Sequence, residues 1–174
     1  MATYKIDAAH SDILFKVKHL MITTVTGSFK AFDATLTADK EDFSDAQISF
    51  TADVNSLDTR SEQRDGHLKS NDFFNAEQFP ELKFTSTSFT KNGDAYILKG
   101  DLTIRDVTKS VELKTDYTGA MVDPWGQKKV GFEVEGTIKR KEFGLSWDAV
   151  TEAGGVVVSD DVKLQLNVQF IQQN

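Results

Sequence analysis

A period of two runs through most of the chain and limits what it can become. Val162, Leu164, Leu166, Val168 and Phe170 alternate with Lys163, Gln165, Asn167 and Gln169. Successive side chains of a strand point to opposite faces, so this run has one face in a core and one in water. The same rhythm sets Val130, Phe132, Val134 and Ile138 against Glu133, Glu135 and Lys139. It recurs in Tyr96, Leu98, Leu102 and Ile104, and in Val111, Leu113 and Tyr117. Ile48, Phe50, Ala52 and Val54 repeat it, as do Ile13, Phe15 and Val17. Runs 28–38 and 81–90 alternate less cleanly, and Phe29 and Phe32 fall on opposite parities, which predicts a bulge between them.

Eight one-sided strands must bury their apolar faces against one another. Turn signals at Lys91-Asn-Gly-Asp94, Arg105-Asp-Val-Thr108 and Asp123-Pro-Trp-Gly126 imply an antiparallel meander. Closure into a barrel also removes the exposed edges. The expected fold is all-β: an eight-stranded antiparallel, lipocalin-like barrel spanning 1–174 as a single domain. A barrel of about eight strands either fills with side chains or encloses one small ligand.

One stretch, about 60–79, breaks the rhythm. Thr59-Arg-Ser-Glu62 fits a capping box with Thr59 as N-cap, which predicts a short helix from Arg60 to Ser70, weakened by Gly66. Asn71 to Phe79 brings Phe73, Phe74 and Phe79 into a polar connection that ends at Pro80. Three Phe there must bury on something, and a flap over one barrel opening or side is expected.

Composition excludes several function classes. With no Cys among 174 residues there is no disulfide framework, thiol nucleophile or Cys-based metal site. The net charge of −7 is spread evenly, with no basic arm, so nucleic-acid binding has no support. His10, His19 and His67 lack metal-ligand spacing, and no phosphate-binding glycine motif occurs, so no metal or other cofactor is expected. Asp7, His10 and Ser11 carry the letters of a hydrolase triad, but neighbours on an extended strand face opposite ways. No stretch approaches a membrane-spanning run, and no secretory signal precedes the patterned sequence. The sequence as written reads as cytoplasmic, or as periplasmic if a signal has been removed.

Parity singles out three polar residues on inward positions at strand ends: His19, Asp106 and Arg140. A charge facing a barrel interior is costly unless paired. Each either sits just past its strand in water or bonded to backbone, or forms a polar mouth to an apolar cavity. A guanidinium bonds phosphate, carboxylate or carbonyl oxygens well, so Arg140 is the strongest candidate for a head group.

Several blocks in order then resemble one family. They are Ile6-Asp7 with His10-Ser11, Phe15-Lys-Val-Lys-His19, Gly27-Ser-Phe29 with Phe32, and Asp58-Thr59. Arg64-Asp-Gly-His-Leu-Lys-Ser70 with Asp72-Phe-Phe74, Phe79-Pro80 with Phe84, Gly100-Asp-Leu-Thr-Ile104, and Arg140 with Phe143-Gly144 complete the set. The chain resembles the YceI-like family of lipid- and polyisoprenoid-binding proteins over essentially its whole length. That resemblance implies a lipocalin-like barrel with a helical insertion, a long apolar tunnel holding an isoprenoid or fatty-acyl chain, and in some members a homodimer.

The leading function is therefore a bacterial carrier that binds, transports or sequesters one long-chain lipid and performs no chemistry on it. Parity assigns the ligand-binding wall to Phe15, Val17, His19, Phe50, Phe84, Leu98, Leu102, Phe132, Val134, Arg140, Leu164 and Leu166. Phe132→Arg is expected to abolish chain binding while the barrel still folds. The competing readings are a ligand-free, filled barrel acting as a stress-related interaction scaffold, and an enzyme using His19, Asp106 and Arg140 on a bound lipid.

Overall fold

The period-two runs do form strands, and the strands close on themselves. The computed structural model describes residues 1–148 and 157–174. Its strands are β1 (Ala2–Ile6), β2 (Asp12–His19), β3 (Thr23–Phe29), β4 (Phe32–Ala38), β5 (Gln47–Asp53), β6 (Leu57–Asp58), β7 (Glu81–Asn92), β8 (Ala95–Ile104), β9 (Val107–Val122), β10 (Lys128–Lys139) and β11 (Asp161–Gln172). One helix, α1 (Glu62–Lys69), lies between β6 and β7.

The order β1-β4-β5-β7-β8-β9-β10-β11 returns to β1, giving a closed barrel of eight antiparallel staves. Three staves are broken into two pieces. β11 pairs with β1 near its C-terminal end and with β2 nearer its start. Between them a 3-10 turn, Ala8–His10, leaves the ladder. β3 pairs with β2 as β4 pairs with β1, and β6 pairs with β3 beyond β5.

These breaks account for what the alternation obscured. The 28–38 run is not one bulged strand. It is β3 and β4 meeting at a corner at Lys30-Ala31, where the Lys30 amide donates to Ser56 O (3.2 Å) and the Ala31 amide to Ser56 Oγ (3.0 Å). β1 escaped notice because it is short and mostly small or polar, although Tyr4 is buried. Leu82 and Phe84 switch parity to Phe89 because β7 slips register between Ser86 and Ser88. β9 runs to both sides of the expected 111–117.

The helix starts later than its letters imply. Arg60 has φ 68°, outside helical space, so Thr59 cannot be the N-cap. Ser61 caps instead, its side chain accepting from the Arg64 amide at 3.3 Å. Thr59 is buried, donating its hydroxyl to Asp65 and accepting from Arg64 Nε at 2.8 Å.

The two barrel ends are closed by different means. At one end, the 39–46 connection drops Phe43 among Tyr4, Tyr117 and Phe132, at centroid distances of 5.5, 5.6 and 5.6 Å. Phe89 stacks on Tyr96 at 4.5 Å beside them, and the Tyr96 hydroxyl donates to Asp42 O at 2.6 Å. At the other end lie α1, the 71–79 flap and the segment around Phe143 to Trp147.

Candidate functional site

Among the described residues, two adjoining cavities lie inside the barrel. The first, a tunnel of about 140 Å³, is walled by apolar side chains with Thr115 as its polar exception. The second, a chamber of about 240 Å³ at the flap end, adjoins it at a waist formed by Phe15, Phe29, Leu82, Ile104, Ile138 and Leu164. Leu68, Phe73, Phe74, Leu145 and Trp147 cover the chamber.

Glycines shape this interior. A Cβ on Gly27 would stand 2.2 Å from Phe15 Cζ, and one on Gly100 would stand 2.4 Å from Phe84 Cζ. Each ring lies flat on a strand where a neighbour has no side chain. Both glycines hold inward parity, and that signal was legible in the sequence: an inward glycine in a strand marks a close approach.

Nine expected wall residues meet around the tunnel: Phe15, Phe50, Phe84, Leu98, Leu102, Phe132, Val134, Leu164 and Leu166. Val17, His19 and Arg140 join Phe15 and Leu164 around the chamber. Phe132 lines the tunnel and is also part of its aromatic closure. It packs against Phe43, Phe89, Tyr117 and Phe170 in the closed-end aromatic cluster, with centroids 5.4–6.3 Å away. A guanidinium there would be buried among rings, so Phe132→Arg would disrupt the fold and not selectively the binding.

The three polar candidates separate. Asp106 is exposed on the β8–β9 turn and is not a chamber wall. His19 is exposed at the end of β2, bordering the chamber. Arg140 is only 2% exposed. Its Nε donates to Ser159 O at 2.9 Å, Nη1 to Leu145 O and Trp147 O at 2.6 and 2.7 Å, and Nη2 to Val158 O at 3.3 Å. Asp160 and Asp148 stand 3.8 and 4.0 Å from Nη2. The guanidinium expected to hold a head group instead clasps the backbone on both sides of residues 149–156. A buried charge is tolerable only with this many partners.

Arg105, read in the sequence only as part of a turn, does the same for the flap. Its Nη1 donates to Asn71 O, Phe73 O and Gly144 O at 3.2, 3.0 and 3.2 Å, and its guanidinium lies 5.9 Å from the Phe79 ring centroid. His67 sits between the rings of Phe73 (5.1 Å) and Trp147 (4.8 Å), with Nε2 2.9 Å from Asp72 Oδ2. No pattern at the level of parity could place these residues, because the flap has no period.

The triad letters have a structural use. Asp7 caps the 3-10 turn through the Ala9 amide (3.2 Å) and holds His10 Nδ1 at 2.8 Å. Ser11 Oγ accepts the Gln169 amide at 3.0 Å, replacing the ladder bond lost where the turn leaves the sheet.

Such a closed antiparallel barrel with an apolar interior and an inserted flap is a lipocalin-like binding architecture. A profile of the YceI-like domain matches residues 4–170, and the chain belongs to that family. It is 41% identical over 174 residues to protein YceI of Salmonella newport, covering 99% of this chain and 88% of that protein. The fold matches BcnA of Burkholderia cenocepacia with a TM-score of 0.82 at 22% identity, over 94% of this chain and 98% of that one. It also matches a polyisoprenoid-binding domain from Saccharophagus degradans, with a TM-score of 0.71 at 15% identity over 98% of each chain.

Proposed function

We propose that this protein binds one long apolar chain, of polyisoprenoid or fatty-acyl type, and carries or sequesters it unaltered. The observation behind this is the apolar tunnel and, adjoining it across shared wall residues, the flap-end chamber. A filled barrel has few voids larger than water, whereas apolar cavities of about 150 Å³ take up apolar ligands. Each buried methylene contributes roughly 0.8 kcal/mol, so a plain chain binds without many polar contacts. The Saccharophagus degradans domain, described as polyisoprenoid-binding, lends support through its shared fold.

The head group belongs in the chamber. Lys18, His19, Arg64, His67 and Arg140 are among its walls, and no carboxylate is, among the described residues. The reading without chemistry is supported by how the polar groups are employed. Arg140 is committed to carbonyls, Asp106 lies off the walls, and Ser11 completes a sheet. General acid–base chemistry needs titratable groups converging on one point.

Native mass spectrometry of gently purified protein tests this. One adduct with the mass of a long-chain lipid is expected. Protein that carries no adduct and takes up neither polyprenyl nor acyl probes would refute the reading.

A further inference from the structure

The β2–β3 hairpin ends beside the chamber. His19 O accepts from the Ile22 amide at 3.2 Å, and Leu20 and Met21 fill the central turn positions with φ of 54° and 58°. Such left-handed positions favour asparagine or glycine, because a Cβ crowds the following carbonyl. Here they hold large apolar side chains followed by a third, and Leu20, Met21 and Ile22 are 39%, 60% and 77% exposed. Neither turn chemistry nor core packing accounts for that choice.

The charge around the tip runs against that of the whole chain. Between Asp12 and Asp33 the sequence carries no acidic residue, in a protein of net charge −7; Lys16, Lys18 and His19 lie on the strand leading into the tip, while Lys30 sits at the far end of β3 near Asp58. Carboxylates on neighbouring elements are already paired. Asp160 lies 3.2 Å from Lys141 Nζ, Asp161 3.0 Å from Lys139 Nζ, and Asp148 2.9 Å from Lys141 Nζ. Val17, Lys18, His19 and Val25 are chamber walls, and the Leu20 amide donates to Val157 O at 2.8 Å. Tip, basic shoulder and chamber therefore adjoin.

A three-residue tip falls far short of the roughly 20–30 residues a side of a stable protein interface. A few apolar side chains backed by basic ones are what interfacial lipid binding uses. We propose that the β2–β3 tip inserts into the surface of an anionic lipid bilayer and brings the chamber against it. An apolar chain then passes between bilayer and barrel without crossing water, where each exposed methylene is unfavourable. This rests on the chain-binding reading above.

Co-sedimentation of the full chain with vesicles of phosphatidylglycerol and phosphatidylcholine tests the surface. Binding is expected, weaker on phosphatidylcholine alone. Leu20→Asn/Met21→Gly/Ile22→Thr, which suits the turn better, should lower partitioning on the order of tenfold. Ile22→Ser, which leaves both left-handed positions untouched, should lower it less. Met121→Ser/Trp125→Ser, on exposed residues of the β9–β10 hairpin at the opposite end, should leave it unchanged. The proposal is overturned if the tip variants sediment like wild type or if neither vesicle retains the protein. It is equally overturned if the opposite hairpin carries the binding, or if the tip variants change only the oligomeric mass. Uptake of a fluorescent acyl probe separates the two readings. The tip variants should match wild type from detergent and lag from vesicles. Wild type that sediments yet takes no probe by either route refutes chain binding and leaves the docking surface standing.

Discussion

The two ends of the barrel are closed by opposite chemistry. At the closed end, rings from β1, β9 and β10 meet Phe43, and closure is apolar contact with few polar bonds. At the flap end, Arg105 and Arg140 reach main-chain carbonyls of inserted segments, and closure is a set of discrete hydrogen bonds. Packed rings have no half-open state short of losing contact throughout the cluster. Hydrogen bonds from one guanidinium can be exchanged for water bonds one by one, at a modest net cost each. The comparison teaches that the flap end is the one whose closure can be undone bond by bond, and the exposed apolar hairpin tip stands at that end.

The largest expected effects break each closure in turn. Arg140→Met removes the clasp and strands several carbonyls beside Asp160. It should cost about 3–5 kcal/mol in urea unfolding, the range for removing one partner of a buried ionic network. Phe43→Ala should cost about 3–5 kcal/mol, the range for a truncated core ring. What separates them is chain exchange. A milder flap lesion, Arg105→Gln, should speed probe release in stopped-flow displacement, whereas Phe43→Ala should leave the release rate near that of wild type. Equal acceleration by both would mean that either end serves as the exit.

The barrel was legible because alternation is a local signal repeated eight times. Val130 to Ile138 and Val162 to Phe170 emerge in β10 and β11 with inward residues at their expected places. Alternation also brought together a wall that chain order scatters, from Phe15 to Leu166. It failed where the chain turns a corner. Phe29 and Phe32 showed a change of face, but parity cannot distinguish a bulged residue from a corner that moves the strand to new neighbours. It failed again for Arg140, whose inward position was read correctly and whose partners were not. Those partners are backbone carbonyls of a segment without period, and a carbonyl carries no side-chain signature. Thr59 was misread for a related reason: a Thr-x-x-Glu pattern does not show that the hydroxyl is already engaged, donating to Asp65 and accepting from Arg64.

Acid should sharpen the contrast. Three carboxyls at the closed end are held below their ordinary value. Asp45 is lowered chiefly by the Asp39 amide, Asp42 by the Ser44 amide and Asp123 by the Gln127 amide. A folded pKa below the unfolded 3.8 stabilises above that value, and the contribution is lost as pH falls through the folded pKa. At the flap end Lys139 is raised by Asp161, and Lys141 by Asp148 and Asp160. Their contribution is present below 10.5 and is lost as pH rises through the folded values. Tyr96, raised by burial, adds an alkaline loss at the closed end too, so the acid limb is the discriminating one. In urea midpoints measured from about pH 5 to pH 2, Asp45→Asn should show a shallower decline than wild type. An unchanged acid limb in Asp45→Asn would remove this loop from the account of closure.

The smallest expected effect tests the tunnel between the ends. Thr115 is 2% exposed, pairs across the sheet with Tyr96 and Val134, and is the polar residue on the tunnel wall. Its hydroxyl has no hydrogen-bond partner among the described residues. A buried hydroxyl left unpaired costs roughly 1–3 kcal/mol, so Thr115→Val, close in shape and without the hydroxyl, should stabilise the empty barrel by about 1 kcal/mol. The same change should leave affinity for a plain acyl chain unchanged, since the buried Thr115 hydroxyl presents no polar surface to the tunnel. If affinity for long-chain probes falls while stability rises, the hydroxyl meets a polar group on the ligand. The tunnel would then hold more of that ligand than its tail, and the division between an apolar tunnel and a polar chamber would have to be redrawn at Thr115.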